Sequence, residues 1–127
     1  MIYAIALGSN FQQAEAMAQA QAALERLGQC VYSPMYQLPD RLGVGPLYWN
    51  IALLLKTPQW TPDDLAGQLQ QIEQDCGRVR PSKQVRMDVD LIAWGQTLVE
   101  LQVDPRRMPL PLDVTLPMQE IWPACPM

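Results

Sequence analysis

Two aspartates separated by one residue are the sharpest chemical feature of this 127-residue sequence. Asp88 and Asp90 open an apolar segment, and side chains two apart on a strand project from the same face. Two carboxylates placed in this way could hold a pair of divalent cations about 3.5–4 Å apart. Because the sequence contains no histidine, such a site must use oxygen ligands, which favours magnesium or manganese. The alternative is a solvated strand face, since Asp-x-Asp alone is a common pattern.

Basic residues are concentrated around this acidic pair, although the net charge of the chain is −4. Six of the nine lysines and arginines lie between residues 78 and 107: Arg78, Arg80, Lys83, Arg86, Arg106 and Arg107. Arginine suits phosphate oxygens through its forked donors, so the combination predicts a metal-bound triphosphate. Phosphoryl-type transfer depends on positioning and charge neutralisation, for which histidine is not required. The alternative is a solvated basic loop.

Two further segments could hold a flat ligand. Gly8 follows the first apolar run, and a glycine there permits close approach of a ligand or another backbone; the alternative is a simple turn. In Tyr48-Trp49-Asn50, strand alternation places Tyr48 and Asn50 on one face and Trp49 on the other. An aromatic ring beside an amide suits a planar heterocycle, whereas the alternative is an ordinary strand start.

The elements that must position these residues follow from the hydrophobic pattern. Strands are predicted over residues 2–7, 30–38, 48–56 and 88–94, with a short extended piece over 97–99. Helices are predicted over residues 13–27 and 61–77, the second capped by Thr61. This order predicts an α+β, ferredoxin-like (βαββαβ) fold with a four-stranded antiparallel sheet and both helices on one face. The other face would be open and able to hold a site.

Composition narrows the possible classes of protein. We expect a single domain over residues 1–127, with a core over 1–100 and an irregular, proline-rich tail over 101–127 that contains at most one short helix. Three widely spaced cysteines predict reduced thiols in a cytoplasmic protein, and no apolar run is long enough for a membrane span. The acidic charge disfavours nucleic-acid binding. The absence of histidine excludes Ser-His-Asp and Cys-His catalysis.

Six segments together resemble the 6-hydroxymethyl-7,8-dihydropterin pyrophosphokinases, in that family's order and over residues 2 to about 100. They are Ala6-Leu7-Gly8-Ser9-Asn10, Ser33-Pro34-Met35-Tyr36, Tyr48-Trp49-Asn50-Ile51-Ala52, Gln70-Gln71-Ile72-Glu73, Gly77-Arg78-Val79-Arg80 and Met87-Asp88-Val89-Asp90-Leu91-Ile92. The resemblance implies transfer of pyrophosphate from ATP to the pterin hydroxymethyl group in folate biosynthesis, with release of AMP.

The resemblance also implies a role for individual residues. Asp88 and Asp90 would hold two Mg²⁺ ions that bridge the phosphates of ATP. The pterin would contact Gly8, Leu42, Gly43, Tyr48 and Asn50. The nucleotide would contact Gln70, Glu73, Arg80, Lys83 and Leu91. Arg78 and Arg86 would act on the transferred phosphates, within a basic loop that serves as a mobile lid.

Other functions stay open at this point. The family carries a tryptophan in its lid and a Pro-His element after the fourth strand, and this sequence has neither. A second hypothesis is therefore a catalytically impaired paralogue that binds pterin or nucleotide, or that supports another folate-pathway enzyme. A third, an RNA-binding ferredoxin-like domain, is disfavoured because the strands lack paired aromatic residues and the chain is acidic.

Overall fold

The computed structural model describes residues 1–43, 45–80 and 82–126. Residue 44, residue 81 in the basic segment and residue 127 in the tail lie outside these ranges. In chain order the elements are β1 (Ile2–Ser9), α1 (Gln13–Glu25), β2 (Gln29–Tyr32), β3 (Tyr36–Leu38), β4 (Tyr48–Lys56), α2 (Pro62–Asp75), β5 (Asp88–Gly95), β6 (Gln102–Val103) and α3 (Leu112–Ile121).

Among the described residues the antiparallel sheet has six strands, where the sequence predicted four. The order is β2-β4-β1-β5-β6, and β3 also pairs with β4. The predicted strand over 30–38 is divided because Pro34 has no N–H to donate. Ser33 bridges the gap, since its N–H donates to the Ala52 carbonyl at 2.8 Å and its hydroxyl accepts from the Ala52 N–H at 2.9 Å. The sixth strand, β6, pairs with the end of β5.

Helices α1 and α2 pack on one face of the sheet, as predicted. The main core there contains Met17 and Leu24 of α1 and Leu65 and Leu69 of α2, packed against inward-facing residues of β1, β4 and β5. Helix α2 begins as its sequence predicts, because the Thr61 hydroxyl accepts from the Asp64 N–H at 3.2 Å.

The prediction of an open second face is only partly correct, because α3 packs on part of that face. Val114, Met118 and Trp122 are spaced four residues apart and are buried against alanines of the sheet. Because alanine side chains are small, the helix can lie close to β4. The tail thus contains one ten-residue α-helix, within the predicted limit of one short helix. In the segment predicted to be extended over 97–99, Thr97 is extended, but Leu98 and Val99 belong to a 3-10 turn, Leu98–Glu100.

Two further observations concern membrane-spanning helices and the cysteines. No helix of the described residues is both long and apolar enough to cross a membrane. Cys30, Cys76 and Cys125 are free thiols, and the last two are buried.

Candidate active site

The register of three strands creates a trough at one end of the sheet. Gly8 of the central strand β1 lies opposite Asn50 of β4 and also opposite Asp88 of β5. Two residues along, Ala6 lies opposite Asp90. Since adjacent strands are separated by about 4.8 Å, the backbones of Asn50 and Asp88 lie about 10 Å apart, with Gly8 between them. This spacing leaves room for a flat ligand on the strand surface.

The trough encloses a cavity of about 230 Å³. Its walls include most of the residues predicted to contact pterin, namely Gly8, Leu42, Tyr48 and Asn50. Gly43 is exposed and is not among the described residues that line the cavity. A β-carbon on Gly8 would lie 3.4 Å from the Asn50 amide oxygen, so glycine keeps the floor clear. Trp49 packs against the main core on the opposite face, as alternation predicts.

An ion pair that the sequence did not predict closes one side of this cavity. Arg41 donates to Asp113 through two nitrogens, at 3.3 and 3.1 Å. The pair connects the segment after β3 to the start of α3, and both residues line the cavity. Because the partners are 72 residues apart, no local sequence pattern could have revealed the contact.

Three carboxylates form a compact cluster beside the cavity. Asp88, Asp90 and Glu73 each offer an oxygen within 4.8 Å of the others. Glu73 reaches the cluster from α2 around the unpaired part of the β5 edge, where it accepts from the Val89 N–H at 2.8 Å. The sequence predicted the shared face of the two aspartates, with Met87, Val89 and Leu91 buried on the other side, but it did not predict that Glu73 joins them.

The electrostatics of this cluster favour a bound cation. Burial, with a further contribution from the nearby Asp88 carboxylate, raises the pKa of Glu73 to about 7. Burial and the charge of Asp88 raise the pKa of Asp90 to about 6, against the opposing effect of Arg107. Burial and repulsion from Asp88 thus disfavour the charged forms of these two carboxylates, and a bound cation would offset both effects. An all-oxygen donor set of this kind fits Mg²⁺, so the residues present match the predicted metal.

Arg78 is the most enclosed cation of the site. Its guanidinium approaches the Asp88 carboxylate at 3.4 Å with only 13% of the side chain exposed, and it donates to the Met87 carbonyl at 3.3 Å. Its Nε is buried without a hydrogen-bond partner among the described residues. Arg78 also lines the cavity, so an anion there would meet a cation that is already in place.

A second, shallower cavity lies on the other side of the acidic cluster. It is lined by four residues predicted to contact the nucleotide, Gln70, Glu73, Arg80 and Leu91, and by Asp90 and Arg107. Arg80 approaches Glu73 at 3.5 Å with 63% of its side chain exposed. The prediction did not include Arg107, although its place in the basic cluster was a signal.

Two predicted site residues lie apart from both cavities. Arg86 approaches Glu15 of α1 at 3.7 Å, and Lys83 is exposed. Asn10 fixes this part of the basic segment, because its side chain accepts from the Val85 N–H at 2.6 Å and donates to the Lys83 carbonyl at 2.9 Å. Sequence reasoning treated Asn10 only as part of a turn after β1 and missed this anchoring contact.

Comparison with known proteins connects this geometry to one family. A family model described as 7,8-dihydro-6-hydroxymethylpterin-pyrophosphokinase matches residues 4–123. The match confirms the resemblance drawn from the shorter motifs and extends it into the tail that contains α3. A search of the curated proteins finds no match.

Proposed function

This chain belongs to the 7,8-dihydro-6-hydroxymethylpterin-pyrophosphokinase family, and we propose that it transfers pyrophosphate from ATP to 6-hydroxymethyl-7,8-dihydropterin and releases AMP. The observation that carries this proposal is the acidic cluster of Glu73, Asp88 and Asp90 between two cavities of different chemistry. One cavity offers a flat floor with an amide and an aromatic ring. The other offers arginines and a helix surface.

The first cavity would bind the pterin. The Asn50 side chain is buried, and among the described residues it forms a single long hydrogen bond, at 3.4 Å to the Tyr48 carbonyl, so its polar atoms are available to a ligand. A pterin edge carries both donors and acceptors, which a carboxamide can match. Gly8 would let the ring lie against the strand, and the Tyr48 ring would bound it. The hydroxymethyl group would then point toward Asp88.

The second cavity and the acidic cluster would hold the triphosphate. In the reaction, the hydroxymethyl oxygen bonds to the β-phosphorus of ATP and loses its proton to water. The bond from that phosphorus to the oxygen shared with the α-phosphate breaks, and AMP leaves with this oxygen. Arg78, already beside Asp88, would stabilise charge on the transferred group. Arg80 and Gln70 would contact the remainder of the nucleotide.

Two Mg²⁺ ions held by Asp88 and Asp90 would neutralise phosphate charge and align the reacting groups. Glu73 would act on these ligands indirectly, because it is fixed by the Val89 N–H and lies beside Asp88. Its role would be to maintain the spacing of the two aspartates.

Release of AMP is the direct test. Purified protein with ATP, Mg²⁺ and the pterin should form AMP, and Asp88→Asn and Asp90→Asn should each reduce the rate by at least about 100-fold, since these ligands act on the transition state. Asp63→Asn, at an exposed position in the first turn of α2, is the matched control and should retain the rate.

The same assay, combined with binding measurements, tests the alternative that the protein is a paralogue that binds ligands without turnover. Absence of AMP from the wild-type protein, together with pterin binding measured by calorimetry, would support that alternative. Binding of neither pterin nor ATP would remove both functions.

A further inference from the structure

Each aspartate of the acidic cluster is paired with an arginine from a different part of the chain. Arg78 precedes β5 and approaches Asp88 at 3.4 Å. Arg107 follows β5, in a 3-10 turn over Pro105–Arg107, and its Nη1 approaches the Asp90 Oδ1 at 3.3 Å. The proposed function uses the first arginine but leaves the second unassigned.

Arg107 is held much less firmly than its neighbour in the same turn. Arg106 binds both oxygens of the buried Asp104 carboxylate, at distances between 2.8 and 3.2 Å. The Arg107 side chain is 41% exposed, and Asp90 is its only ion-pair partner among the described residues. The Arg106–Asp104 contact therefore fixes the backbone of the turn, while the Arg107 guanidinium is able to change partners. An ion pair exposed to this degree adds little to stability.

The position of Arg107 gives it a second possible partner. It lines the cavity that also contains Gln70, Arg80 and Glu73, and it borders a neighbouring depression with Arg41 and Pro109. A polyphosphate that enters this cavity would lie within reach of its guanidinium. A divalent cation that takes the Asp90 carboxylate would at the same time displace the arginine, because both compete for the same oxygens.

We propose that Arg107 is a phosphate-binding residue that exchanges Asp90 for the polyphosphate of the nucleotide when the metal-bound nucleotide enters. This assignment rests on the proposed function. In the free protein Arg107 compensates the charge of Asp90, and in the complex it would bind a phosphate oxygen through its forked donors. The exchange makes metal and nucleotide binding cooperative. A metal ion that binds Asp90 releases Arg107 for the phosphate, and a phosphate that binds Arg107 releases Asp90 for the metal ion.

Two opposed effects of one substitution test the proposal. Arg107→Gln should weaken binding of a non-hydrolysable ATP analogue with Mg²⁺ by about tenfold, because a charge-assisted hydrogen bond is lost. It should strengthen binding of Mn²⁺ alone by about two- to fivefold, because a competing cation is removed from Asp90. Arg107→Lys should restore much of the analogue affinity, and pterin affinity should not change.

Calorimetry measures the binding of all three ligands. The control is Arg26→Gln, at an exposed arginine after α1.

The outcomes separate this proposal from the proposed function. Wild-type protein that binds the analogue, with unchanged affinity in Arg107→Gln, would overturn the role of Arg107 alone. Wild-type protein that binds no analogue would overturn both. Equal weakening of pterin, analogue and Mn²⁺ binding in the variant would indicate a structural role and would also overturn the proposal.

Discussion

The two cavities beside the acidic cluster are built from different kinds of structure. The first lies on three adjacent strand ends, with Asn50 only 3% exposed and the Arg78 side chain 13% exposed. The second lies on the surface of α2 and is bounded by long side chains, Arg80 at 63% and Arg107 at 41% exposure. Backbone register fixes the floor of the first cavity, whereas side-chain conformations define the second.

This difference predicts where binding energy is concentrated. Asn50 and Arg78 of the first cavity are enclosed before the ligand arrives, so they lose little conformational entropy on binding. The arginines of the second cavity must be immobilised, and each loses rotamer freedom when it binds. We therefore expect large effects from single substitutions in the first cavity and smaller, distributed effects in the second.

The largest effect is expected from Asn50→Leu. This substitution keeps the approximate size of the side chain but leaves the polar edge of a bound pterin without partners. Pterin affinity should fall on the order of 100-fold, while affinity for an ATP analogue should change less than about twofold. Fluorescence titration of the pterin measures the first effect, and Gln37→Leu on the exposed side of β3 is the control. A similar loss for both ligands would contradict the division into two cavities.

An intermediate effect is expected from Glu73, which lines the second cavity and belongs to the acidic cluster. The folded pKa of Glu73 is about 7, above its ordinary value of 4.5, so the folded protein binds this proton more tightly than the unfolded chain does. The contribution of Glu73 to stability should therefore be greatest below about pH 4.5 and should be lost as the pH rises to about 7. In Glu73→Gln, which cannot titrate, this loss should be reduced by on the order of 2 kcal/mol.

Metal-free urea unfolding of both proteins on either side of this pH window measures the difference. Added Mg²⁺ should stabilise the wild-type protein more at the higher pH, where the carboxylates are ionised. Parallel pH profiles for the two proteins would show that the pKa of Glu73 is not raised in the folded protein.

The smallest effect is expected from Arg80→Gln. Because the Arg80 side chain is mostly exposed and its contact with Glu73 is long, at 3.5 Å, its loss should weaken ATP-analogue binding by only about fivefold. Pterin affinity should be unchanged, and the difference between variant and wild type should shrink as salt is added. A loss as large as that of Asn50→Leu would mean that the second cavity is also preorganised.

Local rules predicted the parts of the site that depend on strand alternation. Asp88 and Asp90 share one face of the sheet, and Tyr48 and Asn50 lie on that same face with Trp49 behind them. Within each strand a period of two leaves no other arrangement. The capped start of α2 followed from Thr61 and the proline after it. These features are set by neighbours in sequence.

The rest depended on contacts between distant residues. The prolines of the tail suggested an irregular chain, yet Val114, Met118 and Trp122 repeat every four residues, which was a helical signal in retrospect. The pairs Arg41–Asp113 and Arg107–Asp90 join segments separated by 72 and 17 positions, so charge composition alone could not assign them. Glu73 was predicted to contact the nucleotide, but it also lies beside Asp88 and Asp90, since α2 brings it to the edge of β5.

The hydrogen bond from the Val89 N–H to Glu73 has a consequence for association between copies of the protein. Strand β6 covers only the end of β5, at Ala93 and Trp94, so the first half of β5 would otherwise offer an open donor to a strand from another molecule. Glu73 occupies that donor, and the Asp104 N–H occupies the Ile92 carbonyl further along. The carboxylate that shapes the acidic cluster thus also occupies an edge donor, so a substitution that removes it would expose this N–H to a strand from another molecule.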